Sequence, residues 1–242
     1  MSDIGIIGGP DGSSMLFFPS GGPFGTDSMY MWQYVLILAA FALAAYFLGN
    51  ISPSTLMARA RGIDIKKAGS GNARTTNALR VMGKKAGAVT LIIDVLKGVA
   101  AAVAGTLAGG ELAGYICAFA VFIGHIWPVV YRFKGGKGVA TIFGAAVGLS
   151  PALGFSVLGI VVIAVLVTKR MSVGSIIGAI AFPFMAWWLE PGFAPFSIVI
   201  ALIVIIKHRS NIARIFRGQE PPMSIFEKKK TGSSKKTHRR NP

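Results

Sequence analysis

Residues 86–108 read AGAVTLIIDVLKGVAAAVAGTLA, and the fold turns on how that stretch is taken. As a helix it would be about 35 Å long, enough to cross roughly 30 Å of hydrocarbon. Its only charges, Asp94 and Lys97, stand three residues apart and so share one helical face. There they can cancel one another, or serve a function that justifies ionisable groups at membrane depth. The composition of the chain decides between a buried soluble helix and a membrane span. Of 242 residues, 53% are hydrophobic and only 14% charged, where a soluble domain carries about a quarter charged residues. We therefore read an all-α membrane protein, with no room for a separate soluble domain.

Working outward, breakers and apolar runs give seven spans, near 30–48, 86–108, 112–130, 138–150, 152–168, 172–189 and 195–207. The fourth is short, about 20 Å as a helix, and reads as a half-span or re-entrant segment closed by Pro151. Charge sets the orientation. Segment 49–85 carries eight Lys and Arg against Asp64 alone, and Arg132, Lys134, Lys137, Lys169 and Arg170 fill the next two loops on that side. The N-terminal tail and the connections near 110, 151 and 191 hold no Lys or Arg. By the positive-inside rule the N-terminus lies outside and the C-terminus in the cytoplasm. Three regions follow: an extracytoplasmic flexible tail at 1–29, a seven-helix membrane domain at 30–220, and a basic, disordered cytoplasmic tail at 221–242. The first 28 residues lack the basic start of a cleavable signal. Much of the net charge of +16 is orientation signal. The basic tail suits anionic lipid, and no aromatic or fold feature supports nucleic-acid binding. Cys117, the single cysteine, reads as a small packing residue, and Gly105/Gly109, Gly144/Gly148 and Gly174/Gly178 have the spacing of close helix contacts.

Orientation does not explain three clusters among the cytoplasmic charges. Gly69-Ser70-Gly71-Asn72 precedes Thr75-Thr76-Asn77 and Arg80. Its glycines would let backbone N–H groups converge on an anion, and Arg80 offers a planar fork for phosphate oxygens. A polar loop with a helix cap is the plainer reading. Phe133-Lys134-Gly135-Gly136-Lys137-Gly138, preceded by Gly124-His125 and Pro128, combines two ammonium groups with flexible backbone. It is not a nucleotide-binding P-loop, because Gly138 stands where Ser or Thr must follow the Gly-Lys pair. His125, near a span end, could be a packed histidine. Last comes Lys207-His208-Arg209-Ser210-Asn211, with Arg214 and Glu220 following. On a helix His208 and Asn211 face the same way, and a snorkelling basic helix end would leave Asn211 unexplained. Three such loops on one face suggest a site for a phosphate-bearing amphiphile or small organophosphate at the cytoplasmic surface.

In order, "YFLGNISPSTLMARARGIDIKKAGSGN", "TTNALRVMGKKAG", "DVLKGVAAA", "GHIWPVVYRFKGGKGVAT" and "HRSNIARIFRGQE" span about residues 46–220. With these motifs the chain resembles the membrane-integral acyl-phosphate glycerol-3-phosphate acyltransferases of bacteria. The resemblance implies seven helices and transfer of a fatty acyl group from acyl phosphate to the sn-1 hydroxyl of glycerol 3-phosphate at the cytoplasmic face of the plasma membrane. Lysophosphatidic acid and phosphate are the products, with no cofactor and no metal. It implies catalytic roles for Ser70, Arg80, Lys137, His208 and Asn211. Gly69, Gly71, Asn72, Thr76, Asn77, Lys97, His125, Lys134, Gly135, Gly136, Gly138, Thr141, Arg214 and Glu220 would contact substrate. Ser70, Arg80, His208 and Asn211 would hold glycerol 3-phosphate, and residues 134–138 the acyl phosphate, while Asn72, Thr76 and Asn77 shape the floor. Partners are the two substrates and membrane lipid, and a monomer is expected. Arg74 departs from the family pattern, which has Gly-Ala-Thr-Asn where this chain has Arg74-Thr75-Thr76-Asn77. An organophosphate transporter would need an outward path, yet the outer side carries no Lys or Arg and no paired broken helices are visible. A lipid-holding scaffold would have no use for Ser70 or Asn211.

Overall fold

The computed structural model describes residues 6–7, 16–17, 28–65, 67–69 and 75–223. The tails expected at 1–29 and 221–242 lie mostly outside these. Two short strands, Ile6–Ile7 and Leu16–Phe17, pair antiparallel ahead of the bundle. Among the described residues all other regular structure is helical. The long helices are α1 (Ser28–Gly49), α4 (Lys84–Ile126), α6 (Pro151–Thr168), α7 (Met171–Leu189) and α8 (Ala194–Lys207). Shorter ones are α2 (Pro53–Ala60), α3 (Thr75–Met82), α5 (Val139–Leu149) and α9 (Arg209–Phe216). Among the described residues four helices are long and apolar enough to cross a membrane, five if α8 and α9, bent by 57°, count as one.

Residues 86–108 are helical, as their composition demands, within an α4 that spans 43 residues and breaks at Gly109 and Gly110. Gly110 sits at φ 77°, a left-handed geometry that glycine adopts without steric cost. The second half of α4 stops at Ile126, short of the expected 130. Pro128 steers Trp127 out of the α region, and a 3₁₀ turn follows at Val129–Tyr131. Ser150 accepts the N–H of Leu153 to start α6, with Pro151 at its first turn.

Close helix contacts set where the loops lie. A Cβ on Gly124 would collide with the Tyr46 carbonyl, so α1 and α4 touch backbone to backbone near their ends. A Cβ on Gly144 would strike the Val95 carbonyl in the same way, which seats α5 against α4. Glycines at such crossings let packing forces act in the absence of a hydrophobic drive between helices. Cys117 is buried against Gly105 of the first half of α4. Tyr46 donates to the Trp127 carbonyl at 2.8 Å and accepts the Val129 N–H at 3.1 Å, pinning the turn that leads into the glycine-lysine loop. On the same side α2 and α3 share a small core of Ala58, Ile65 and Ala78.

Candidate active site

Two polar networks meet at the glycine-lysine loop. In the first, Lys137 is buried and its ammonium donates to Asn211 Oδ1. Asn211, on α9, donates through Nδ2 to Glu220 Oε1 at 2.6 Å. That carboxylate also accepts Ser172 Oγ at 2.6 Å and Arg214 Nε at 2.7 Å. Burial alone would raise the pKa of Glu220, but the hydrogen bonds from Ser172, Asn211 and Arg214, with the charge of Arg214, hold it below the usual carboxylate range. Residues after α9 thereby fold back as a strap. Arg170 Nε donates to the Glu220 carbonyl at 3.0 Å and Met223 N–H to the Lys169 carbonyl at 2.8 Å.

The second network is buried in α4. Lys97 Nζ donates to the Gly49 and Ile51 carbonyls at 3.2 and 2.8 Å, and lies 2.9 Å from His125 Nδ1. Asp94 Oδ1 stands 2.8 Å from the same ammonium and 3.5 Å from His125 Nδ1, both contacts outside directed hydrogen-bond geometry. The ring of His125 lies under the loop, since a Cβ on Gly136 would run into His125 Nε2.

The loop itself is narrower as an anion cradle than its glycines suggest. The N–H groups of Gly135 and Gly136 are already bonded to the Ile126 and His125 carbonyls. Donors for an anion are instead Lys137 and the first turn of α5, entered through Gly138 at φ 79°. Thr141, in that turn, has a fully buried hydroxyl without a partner among the described residues. His208 is buried at the end of α8, with Nδ1 2.8 Å from the Val204 carbonyl. A carbonyl only accepts, so Nδ1 donates to it.

The first cluster is only partly described: Ser70, Gly71, Asn72 and Arg74 lie outside the described residues. Asn77 is buried and donates to the Ile65 and Ala68 carbonyls at 3.2 and 3.0 Å, holding the segment beneath Gly69, whose Cβ would meet Asn77 Oδ1. Arg80, Thr76 and Lys134 are exposed, and nothing among the described residues ties Arg80 to either network. Sequence reasoning passed over Ser172 and Asn50. Ser172 shows no local signal, because its partner Glu220 is 48 residues away. Asn50 is buried with both amide atoms unpartnered among the described residues. Its signal was present: a polar side chain at the very end of an apolar run.

Fold and site define a membrane-embedded enzyme whose buried lysine and helix N-terminus suit an anionic substrate. The chain belongs to the glycerol-3-phosphate acyltransferase family, whose model matches residues 39–218. A glycerol-3-phosphate acyltransferase of Clostridioides difficile (strain 630) is 42% identical over 200 residues, covering 79% of this chain and 96% of that protein. One from Shewanella woodyi (strain ATCC 51908 / MS32) is 39% identical over 191 residues, covering 78% and 93%. A crystal structure of PlsY (YgiH), an integral membrane glycerol 3-phosphate acyltransferase in its glycerol 3-phosphate form, superposes with a TM-score of 0.74 at 30% identity. It covers 78% of this chain and 99% of that one. The lysophosphatidic acid form of PlsY gives 0.71 at 31% identity, covering 76% and 94%.

Proposed function

We propose that this protein transfers a fatty acyl group from acyl phosphate to the sn-1 hydroxyl of glycerol 3-phosphate, releasing lysophosphatidic acid and phosphate. The observation that carries the reading is the bond from Lys137 to Asn211, which joins the glycine-lysine loop to the helix that follows His208. The hydroxyl oxygen attacks the acyl carbon as the bond from that carbon to the phosphate oxygen breaks. Lys137 and the first turn of α5 take the charge that builds on the departing phosphate. The hydroxyl proton passes to that phosphate, with His208 Nε2 as the protein's alternative acceptor. Acyl phosphate is already activated, so holding two phosphates in register is most of the work. Ser70, Arg80, His208 and Asn211 would hold glycerol 3-phosphate.

Membrane topology completes the proposal. A straight helix of 43 residues would reach about 65 Å, twice the hydrocarbon thickness, so the break at Gly109–Gly110 makes α4 two spans. With α1, the short α5, α6, α7 and α8 this gives seven. The lysines and arginines then fall on the cytoplasmic side of the plasma membrane, with the N-terminus outside. The active unit is a monomer.

The deciding experiment supplies purified protein with glycerol 3-phosphate and either palmitoyl phosphate or palmitoyl-CoA, and follows phosphate and lysophosphatidic acid. Turnover is expected with palmitoyl phosphate alone, and Lys137→Ala should reduce kcat by roughly a hundredfold or more. Turnover with palmitoyl-CoA alone, or none in folded protein, sinks the reading.

A further inference from the structure

The buried charges of α4 do more than cancel each other. Lys97 has three N–H donors and no acceptor. Three acceptors lie in hydrogen-bond geometry around it: the Gly49 carbonyl, the Ile51 carbonyl and His125 Nδ1. The two carbonyls close the C-terminal end of α1, where a cation is favoured by the helix dipole. Asp94 balances the charge from 2.8 Å without taking one of the three directed bonds. With two N–H groups held by carbonyls, the third is left for His125 Nδ1 at 2.9 Å, which accepts it from a charged Lys97. Asp94 Oδ1, 3.5 Å from the same nitrogen, lies outside directed hydrogen-bond geometry. The proton of the neutral ring then sits on Nε2, the atom directly under Gly136.

We infer that Asp94 and Lys97 are positioning residues for the donor loop, fixing His125 in the tautomer that presents an Nε2–H to the Gly136–Lys137 segment, where the acyl phosphate binds. The inference rests on the proposed donor and on the glycine-lysine loop as its site. It explains why position 136 carries no side chain: a Cβ there would displace the ring from the loop. It also gives a buried ion pair in a membrane helix a use that self-neutralisation alone does not.

The test combines a spectroscopic and a kinetic reading. The chain has three histidines, so ¹⁵N-histidine labelling in detergent gives few signals, and His125→Gln assigns the one of interest. His125 should be protonated at Nε2 only, opposite to His208, whose Nδ1 faces the Val204 carbonyl. In Lys97→Met, His125 should lose that fixed tautomer, and the KM for palmitoyl phosphate should rise roughly tenfold or more while the KM for glycerol 3-phosphate holds. Should that variant fail to fold, two others leave the ion pair intact. His125→Asn keeps an acceptor for Lys97 but no donor at the loop, and should raise the palmitoyl phosphate KM. His125→Gln, whose amide reaches the Nε2 position, should recover much of that loss. A His125 protonated at Nδ1, singly or doubly, overturns the inference, as does an Asn variant equal to the Gln variant in donor KM. If the wild type fails to use palmitoyl phosphate, the proposed donor is wrong. The tautomer reading still stands or falls by itself.

Discussion

His125 and His208 show how much chemistry rests on single hydrogen bonds: Lys97 holds the first as an acceptor at Nδ1, and the Val204 carbonyl holds the second as a donor at the same atom. One ring thus turns an N–H toward the glycine-lysine loop, and the other gives its Nδ1–H to the backbone. Glu220 makes the strap sensitive to pH. Its folded pKa lies below the ordinary value, so its contribution to stability is complete above the unfolded pKa of about 4.3 and is lost as pH falls through the folded value. Thermal unfolding followed from pH 7 down to pH 3 should show the wild type losing more Tm than Glu220→Gln. Equal losses would mean that the strap owes nothing to the carboxylate. At neutral pH Glu220→Gln should cost about 1–3 kcal/mol, because Arg214 and Asn211 keep their donors but lose a charged acceptor. Arg80→Ala should raise the KM for glycerol 3-phosphate about tenfold to a hundredfold, the scale of a charged phosphate contact, with Tm unchanged because Arg80 is exposed. An unchanged KM would remove Arg80 from the site. At this scale the chain announced residue types rather than partners. Lys137, Asn211 and Glu220 were all legible as candidates, but the bonds joining them cross 74 and 9 positions of sequence and needed the fold. Asp94 and Lys97 were paired correctly from their spacing, whereas the imidazole 28 positions beyond Lys97 was not connected to them.

Helices were the most legible level, because hydrocarbon demands unbroken apolar runs, and α7 continues even through Pro183. The start of α6 at Pro151 and the break of α4 near 110 follow directly from that rule. The exception, Trp127–Val130, is apolar yet leaves the α-helix: hydropathy cannot see the restriction that Pro128 places on its neighbour. Equally hidden was the use of backbone donors in the loop, since which amides are free depends on carbonyls contributed by the end of α4. The crossing of α5 over α4 makes a testable link between packing and site. Gly144→Ala places a methyl group against the Val95 carbonyl and should destabilise by about 1–3 kcal/mol. Because α5 begins at the loop, the shift should also raise the palmitoyl phosphate KM. Gly159→Ala, in α6 with nothing within 4 Å of its Cβ, is the control and should leave both Tm and KM near wild type. If the two variants behave alike, α5 is not held by that contact.

Across the whole molecule, charge and packing agree on one polarised object. The two polar networks and the strap gather at one end of the helices. The far end is held by Tyr115, Phe193 and Phe196 rings, with Tyr115 donating to Glu190 at 2.6 Å. Apolar side chains such as Leu107, Val167, Trp188 and Leu202 are exposed around the outside, as lipid contact requires. That asymmetry was legible in the distribution of Lys and Arg, because orientation in a membrane is written in loop charge rather than in helix sequence. Its sharpest consequence concerns α4, one continuous stretch of chain whose two ends should lie on the same side of the membrane and its middle on the other. Single cysteines at Lys85, Glu111 and Arg209, all exposed, can be introduced in a Cys117→Ala background and treated with a membrane-impermeant maleimide. In intact cells only Glu111→Cys should react, and Lys85→Cys and Arg209→Cys should become reactive once the membrane is permeabilised. Labelling of Lys85→Cys and Glu111→Cys from the same side would mean that residues 86–108 do not cross the membrane. The seven-span count would then fail, and with it the cytoplasmic placement of the glycine-lysine loop.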